Sequence, residues 1–239
     1  MKSKKRDKKG LALRRKKMKI KLKKPIQVQK PKKKWKIFLL IFLIGLTAFS
    51  LFHTWKLATE WKVEKERQVK IAFVSQYIPR HHAEYVVKYS AMYHVDLLDS
   101  LTILLNESSG RQKARSKHNS DGTYDYGYYQ INSGNWKYIR FVLSLDKELS
   151  KQIDSKSVYG AEFNIWAGNL WISWMIDYFY ADQTCLPDDT IHFAVQTYNV
   201  GWGAFRNGTS MKSASRYLKK FLVHRRHLKI KWEEFEEKF

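Results

Sequence analysis

The chain has 239 residues, 44% hydrophobic and 15% aromatic, with 45 Lys plus Arg against 22 Asp plus Glu and a formal charge of +23. That apolar content excludes a disordered chain, and a single Cys excludes an intrachain disulfide framework. The charge is uneven: residues 1–36 hold 19 basic residues and one acid, a net of +18, which leaves 26 against 21, or +5, for the other 203. The basicity is that of a tail, and the rest is a mildly basic domain large enough to bury its own core.

After the tail, Ile37 to Trp55 is a run of nineteen residues without a formal charge, and its first sixteen are almost wholly apolar. At about 1.5 Å per helical residue such a run covers roughly 28 Å, close to the hydrocarbon thickness of a bilayer. Trp35 and Trp55 bracket it where interfacial aromatics belong. The expectation is one transmembrane helix over 37–55, with the basic residues 1–36 kept in the cytoplasm and the remainder exported across the inner membrane. A cleavable signal peptide competes, with Ala48-Phe49-Ser50 offering small residues, but a basic region of 36 residues is long for a signal n-region. The tail serves topology and anionic headgroups. Nucleic acid is not the expected partner, because no aromatic is interleaved with the charges before Trp35 at the start of the apolar run.

Residues 56–82 read as a helical stalk, and 83–239 as a single, mainly α domain. Ala83 to His94 is amphipathic. Asp96 reads as an N-cap, with Asp99 in the first turn of a helix whose leucines fall at 97, 98, 101, 104 and 105 and which stops near Gly110. Gly110 to Gly134 is polar, with four glycines and two Asp, and reads as a structured loop or small hairpin. Helical periodicity resumes at Phe163, Trp166, Leu170, Trp174 and Tyr178, and two more helices follow at about 189–199 and 213–237.

Glu107 is the residue with a chemical claim. It sits roughly 60° from Leu104 around the helix, at the edge of the apolar stripe. The helix C-terminus gives its anion nothing, and partial burial raises the pKa of a carboxyl, as a general acid at neutral pH requires. From position alone, an exposed glutamate at a helix end remains the ordinary alternative.

The surrounding motifs go further. Glu107-Ser108 ends the leucine-rich helix, Ala114-Arg115-Ser116 follows, and then comes Asp125-Tyr126-Gly127-Tyr128-Tyr129-Gln130-Ile131-Asn132. Asn164-Ile165 with Gly168, and Ala194 with Tyr198-Asn199-Val200-Gly201, complete the series. In this order, over about 83–223, they resemble the soluble lytic murein transglycosylase domain of the goose-type lysozyme-like superfamily. Among its members they are closest to the small transglycosylases that accompany secretion and conjugation systems. The resemblance implies a lysozyme-like fold with peptidoglycan glycan strands as substrate; no cofactor and no metal are expected. It makes an envelope-spanning machine a candidate partner. It also implies Glu107 as sole catalytic acid and then base, with Ser108, Tyr128, Gln130, Asn132, Tyr198, Asn199 and Trp202 lining the sugar subsites. Tyr198 would hydrogen-bond near the glutamate. The family usually has Leu-Met where this chain has Tyr128-Tyr129, and Ala where it has Thr197.

Three alternatives stay open on sequence. Hydrolysis of the same bond needs a water and an acceptor, and Asp121 and Asp125 are present while Asn132 stands where goose-type lysozymes have an acid. A non-catalytic glycan-binding assembly protein would keep the same fold, and the tail could bind nucleic acid. For Trp166, Trp171 and Trp174, core packing is the first expectation and sugar stacking the second, whereas Trp202, beside the Tyr-Asn turn, has the better claim on a cleft. The pairs His81-His82 and His224 with His227 lack a third ligand at a metal-binding spacing. Cys185 reads as a small hydrophobe.

Overall fold

A computed structural model describes residues 33–119, 121–157, 159–181 and 189–239. The basic tail to residue 32 and Cys185 lie outside the described residues. The chain divides into two compact units at Ala58 and Thr59.

Helix α1 runs over Lys33–Val74. Within the first unit its apolar side chains are largely exposed, from 49% at Leu46 to 70% at Leu51. The hydroxyls of Thr47 and Thr54 donate back to the carbonyls of Ile44 and Leu51, both at 2.9 Å, which satisfies them within the helix. Among the described residues α1 alone is long and apolar enough to cross a membrane, a test that an N-terminal signal sequence also passes.

The second unit is mainly helical. The last turns of α1 do not stay a solvated stalk, because Ile71, Phe73 and Val74 are fully buried in its core. Then follow α2 (Arg80–Met92), α3 (Leu97–Ser108), a hairpin of β1 (Asp125–Tyr126) and β2 (Ile131–Asn132), α4 (Trp136–Leu145), α5 (Lys147–Gln152), α6 (Ala161–Ala181), α7 (Thr190–Val200), α8 (Trp202–Arg206) and α9 (Met211–Glu236). Helix α3 is buried around much of its circumference, with Leu101, Thr102, Ile103 and Leu104 all at 0% exposure, which identifies it as a core helix. Helix α9 packs on α3 and α7, and α6 packs on α2 and α7.

Asp96 does cap α3, its Oδ1 accepting from Leu98 N at 3.0 Å and Asp99 N at 3.1 Å. Asp96→Ala is expected to lower stability by about 1 kcal/mol, measurable as a drop in the urea midpoint. Helices α4 and α5 were not anticipated. Trp136, Ile139 and Leu143 make a proper buried stripe, but the exposed Tyr138, Phe141 and Leu145 blur it to a reader of hydrophobic spacing.

The hairpin pairs Asp125 with Asn132 and Tyr126 with Ile131 in antiparallel register. Its turn is held from α6. Asn164 Oδ1 accepts from Tyr129 N at 2.8 Å and its Nδ2 donates to Tyr126 O at 2.8 Å, so one amide fixes both sides of the turn. Gly127 has φ of +78°, and a Cβ there would lie 2.4 Å from that amide. One turn along α6, Gly168 leaves room for the ring of Tyr129, whose hydroxyl meets Ser100 and Asn169 in the core.

Candidate active site

The loop, the hairpin and the helix ends enclose a cleft of about 650 Å³. Glu107 enters it from the last turn of α3, half-buried, together with Asp125, Gln130 and Asn132 from the hairpin and Trp171, Tyr198 and Trp202 from the helices. The carboxyl of Glu107 is anchored by α9, where the Tyr217 hydroxyl donates to Oε1. Burial pushes its pKa up to about 7, and the negative charge of Asp125 adds to this. The Tyr217 hydrogen bond and the charge of Lys220 act in the opposite sense. Lys220 also donates to Asn106 O at 3.3 Å, so α9 grips the C-terminal end of α3 beside the glutamate. An acid with this pKa is partly protonated at neutral pH and can both give and accept a proton.

The hairpin surface of the cleft is a polar network. Asn132 Nδ2 donates to Asp125 Oδ1 at 2.9 Å and to Thr123 Oγ1 at 2.7 Å, while its Oδ1 accepts from Gly134 N at 2.8 Å. Asn119 Nδ2 also donates to the Asp125 carboxylate, at 3.3 and 3.4 Å. On the helical side, the Tyr198 hydroxyl donates to Tyr129 O at 2.6 Å, which joins α7 to the hairpin turn. Against this geometry stands a family comparison: the model described as "Transglycosylase SLT domain" matches residues 84–221. The chain belongs to the transglycosylase SLT domain family. No curated protein and no solved structure matches the chain.

The SLT domain has a lysozyme-like fold, and its members are lytic transglycosylases acting on glycosidic bonds of peptidoglycan. The matched segment runs from α2 into α9 and so contains Glu107, the hairpin, Tyr198 and Tyr217. Of the residues expected at the site, the cleft brings together Glu107, Gln130, Asn132, Tyr198, Asn199 and Trp202. Gln130 turns its amide inward, Nε2 donating to Gly127 O at 2.9 Å, and Asn199 accepts from the Ser213 hydroxyl at 3.3 Å.

Two expected residues lie elsewhere. Ser108 is buried, its hydroxyl donating to Leu104 O at 2.9 Å within α3. Tyr128 is also buried, its hydroxyl 2.7 Å from Nδ1 of His82 on α2, so the turn directs this ring into the core and not into the cleft. Burial, and then the nearby Glu107 charge, raise the Tyr198 phenol pKa, but its hydrogen bond goes to the backbone of Tyr129 and not to the glutamate.

One functional candidate, Tyr217, was missed, and for another, Trp171, the second expectation holds over the first. Tyr217 has no local signature beside a partner 110 residues away. Its only sequence signal is a polar-tipped ring on the stripe that buries Ala214, Phe221 and Leu228. Trp171, assigned to the core, lines the cleft, whereas Trp166 is a core residue whose Nε1 donates to Tyr93 at 2.6 Å. Asp121 orders its loop as expected of an Asp in a turn, accepting from Thr123 N at 3.0 Å and from its hydroxyl at 2.6 Å. Among the described residues no three His, Cys, Asp or Glu side chains converge as a metal site.

Proposed function

We propose that this SLT domain cleaves the β-1,4 bond between N-acetylmuramic acid and N-acetylglucosamine with Glu107 as its single catalytic carboxyl. The observation that carries this is a half-buried glutamate in the cleft, held by Tyr217, with a pKa raised to about 7. Protonated Glu107 gives its proton to the leaving glycosidic oxygen as the C1–O bond breaks. The oxocarbenium-like centre is met by the muramoyl 6-hydroxyl, whose oxygen closes on C1 while its proton passes to the carboxylate. The product is a 1,6-anhydromuramoyl end, water is not consumed, and Glu107 finishes protonated as it began.

Hydrolysis is the second reading, favoured by Asp125, which lines the same cleft and whose charge acts on Glu107. A second carboxylate must be free to activate water. Here Asn119 and Asn132 both donate to Asp125, and this favours transglycosylation. Mass spectrometry of muropeptides released from sacculi decides between them: anhydromuramoyl ends support the proposal, and reducing ends overturn it.

The acid role also fixes the pH response. Cleavage is expected to fall as pH rises through about 7, where Glu107 loses the proton it must donate. Tyr217 favours the carboxylate, so Tyr217→Phe should move that limb to higher pH and slow turnover by about tenfold, in line with losing one hydrogen bond to a charged group. A pH–rate profile of both proteins checks this, since a purely structural effect would lower the rate without moving the limb.

The proposed organisation has residues 1–36 in the cytoplasm, a span over 37–55, a linking helix, and the catalytic domain facing the wall. The charge asymmetry across the apolar run supports this orientation. Protease treatment of intact spheroplasts is expected to remove the catalytic domain and spare the tail, with retention in the membrane fraction after carbonate washing. Recovery of the full-activity domain as a soluble shorter chain would indicate a cleaved signal instead.

A further inference from the structure

The aromatic residues of α6 do not end at the cleft. Trp171, Trp174 and Tyr178 fall at i, i+3 and i+7 and share one face of the helix. The ring centroids of Trp171 and Trp174 are 5.4 Å apart, and those of Trp174 and Tyr178 are 6.0 Å apart. Trp202 braces the row from α8, 5.8 Å from Trp174 and 4.4 Å from Tyr178. Trp171 and Trp202 line the cleft that holds Glu107, whereas Trp174 and Tyr178 lie beyond it, 43% and 45% exposed. Met175, Phe179 and Ala194 form a buried cluster against which Trp171 and Trp202 pack, and the Phe179 ring centroid lies 5.5 Å from that of Tyr178.

An exposed aromatic surface continuous with a glycan-cleaving cleft marks a binding site. We propose that Trp174 and Tyr178 form an accessory carbohydrate-binding surface that stacks sugar rings of the glycan strand outside the cleft. Flat rings with polar tips suit the CH faces and hydroxyl edges of amino-sugar pyranoses. The charge pattern selects among ligands that stack on aromatics. Helix α6 contains no Lys or Arg in its 21 residues, and its Asp177 is exposed. Nucleic acid needs a cationic track beside its stacking platforms, and an anionic bilayer needs basic residues. An uncharged sugar face needs neither.

This proposal rests on peptidoglycan as the substrate but not on Glu107 as the catalyst, and the test separates the two. In the full-length Glu107→Gln chain in detergent, binding to sacculi and to a β-1,4-linked N-acetylglucosamine hexamer is measured by sedimentation and titration. Adding Trp174→Ala with Tyr178→Ala is expected to weaken binding about tenfold with an unchanged melting temperature, and Tyr178→Ala alone should give part of that loss. Unchanged glycan affinity in both variants overturns the proposal. So does a loss confined to binding of zwitterionic lipid vesicles, which would assign the rings to the bilayer. If wild-type protein yields no anhydromuramoyl product while binding still depends on Trp174 and Tyr178, the catalytic reading fails and the accessory surface stands.

Discussion

Glu107→Gln is expected to reduce release of anhydromuramoyl products from sacculi by about a thousandfold or more, within the range that general acid–base groups supply. The amide can accept the Tyr217 hydrogen bond but has no proton of suitable acidity for the leaving oxygen. It also cannot take the proton of the 6-hydroxyl, so both halves of the proposed reaction lose the same group. Loss of folding is excluded by a second measurement whose sign is fixed. The folded protein keeps the Glu107 proton up to a pKa of about 7, against an ordinary 4.5. The unfolded chain therefore holds fewer protons in that window, and stability falls as pH rises through it. Gln carries no such cost, so the variant should melt at or above the wild-type temperature at pH 8. Retained cleavage by Glu107→Gln would remove the glutamate from the mechanism.

The second large effect is structural. A Cβ added at Gly168 would lie 2.2 Å from Cγ and 2.4 Å from Cδ1 of Tyr129. That ring is fully buried, with its hydroxyl bonded to Ser100 and Asn169, so it has no empty volume to enter. Overpacking typically costs about 1–3 kcal/mol, and here Gly168→Ala is expected at or beyond the upper end. The damage would reach the site, because Tyr129 accepts from Tyr198 and is held by Asn164, which together set the hairpin against the helices. Denaturant unfolding provides the check. Gly203→Ala is the control, since a Cβ there meets nothing within 4 Å and the change should be neutral or slightly stabilising. Equal stability of Gly168→Ala and wild type would show that α6 and the hairpin can separate at low cost.

These residues also mark how far the sequence could be read. Asp96, the leucine stripe of α3 and the apolar run of α1 were legible because each is a local pattern with a local cause. The position of Glu107 on the shoulder of its stripe foretold its partial burial. Its partner could not be foretold, because Tyr217 reaches it from a helix that only tertiary packing brings near. The same applies to the tryptophans. Helical spacing places Trp171 and Trp174 on one face without saying whether core or cleft lies beyond it, and the neighbour that decides this, Trp202, comes from another helix. Tyr128 shows the reverse error, since a motif suggested a role for a side chain that the turn aims into the core.

Phe73, near the end of α1, packs against Trp232 and Phe235 of α9 with ring centroids 5.0 and 5.6 Å apart, and Lys65 donates to the carbonyl of Phe239 at 3.2 Å. All five residues fall outside residues 84–221, which the family model matches. The stretch that the family model matches is therefore shorter than the unit that packs together. A catalytic module cut at the family's borders would lose both halves of this seam and expose the apolar faces it joins. Cutting one side of the seam alone would leave Phe73, or Trp232 and Phe235, without the rings that cover them, so the residues around 71–74 and the end of α9 must be kept or removed together.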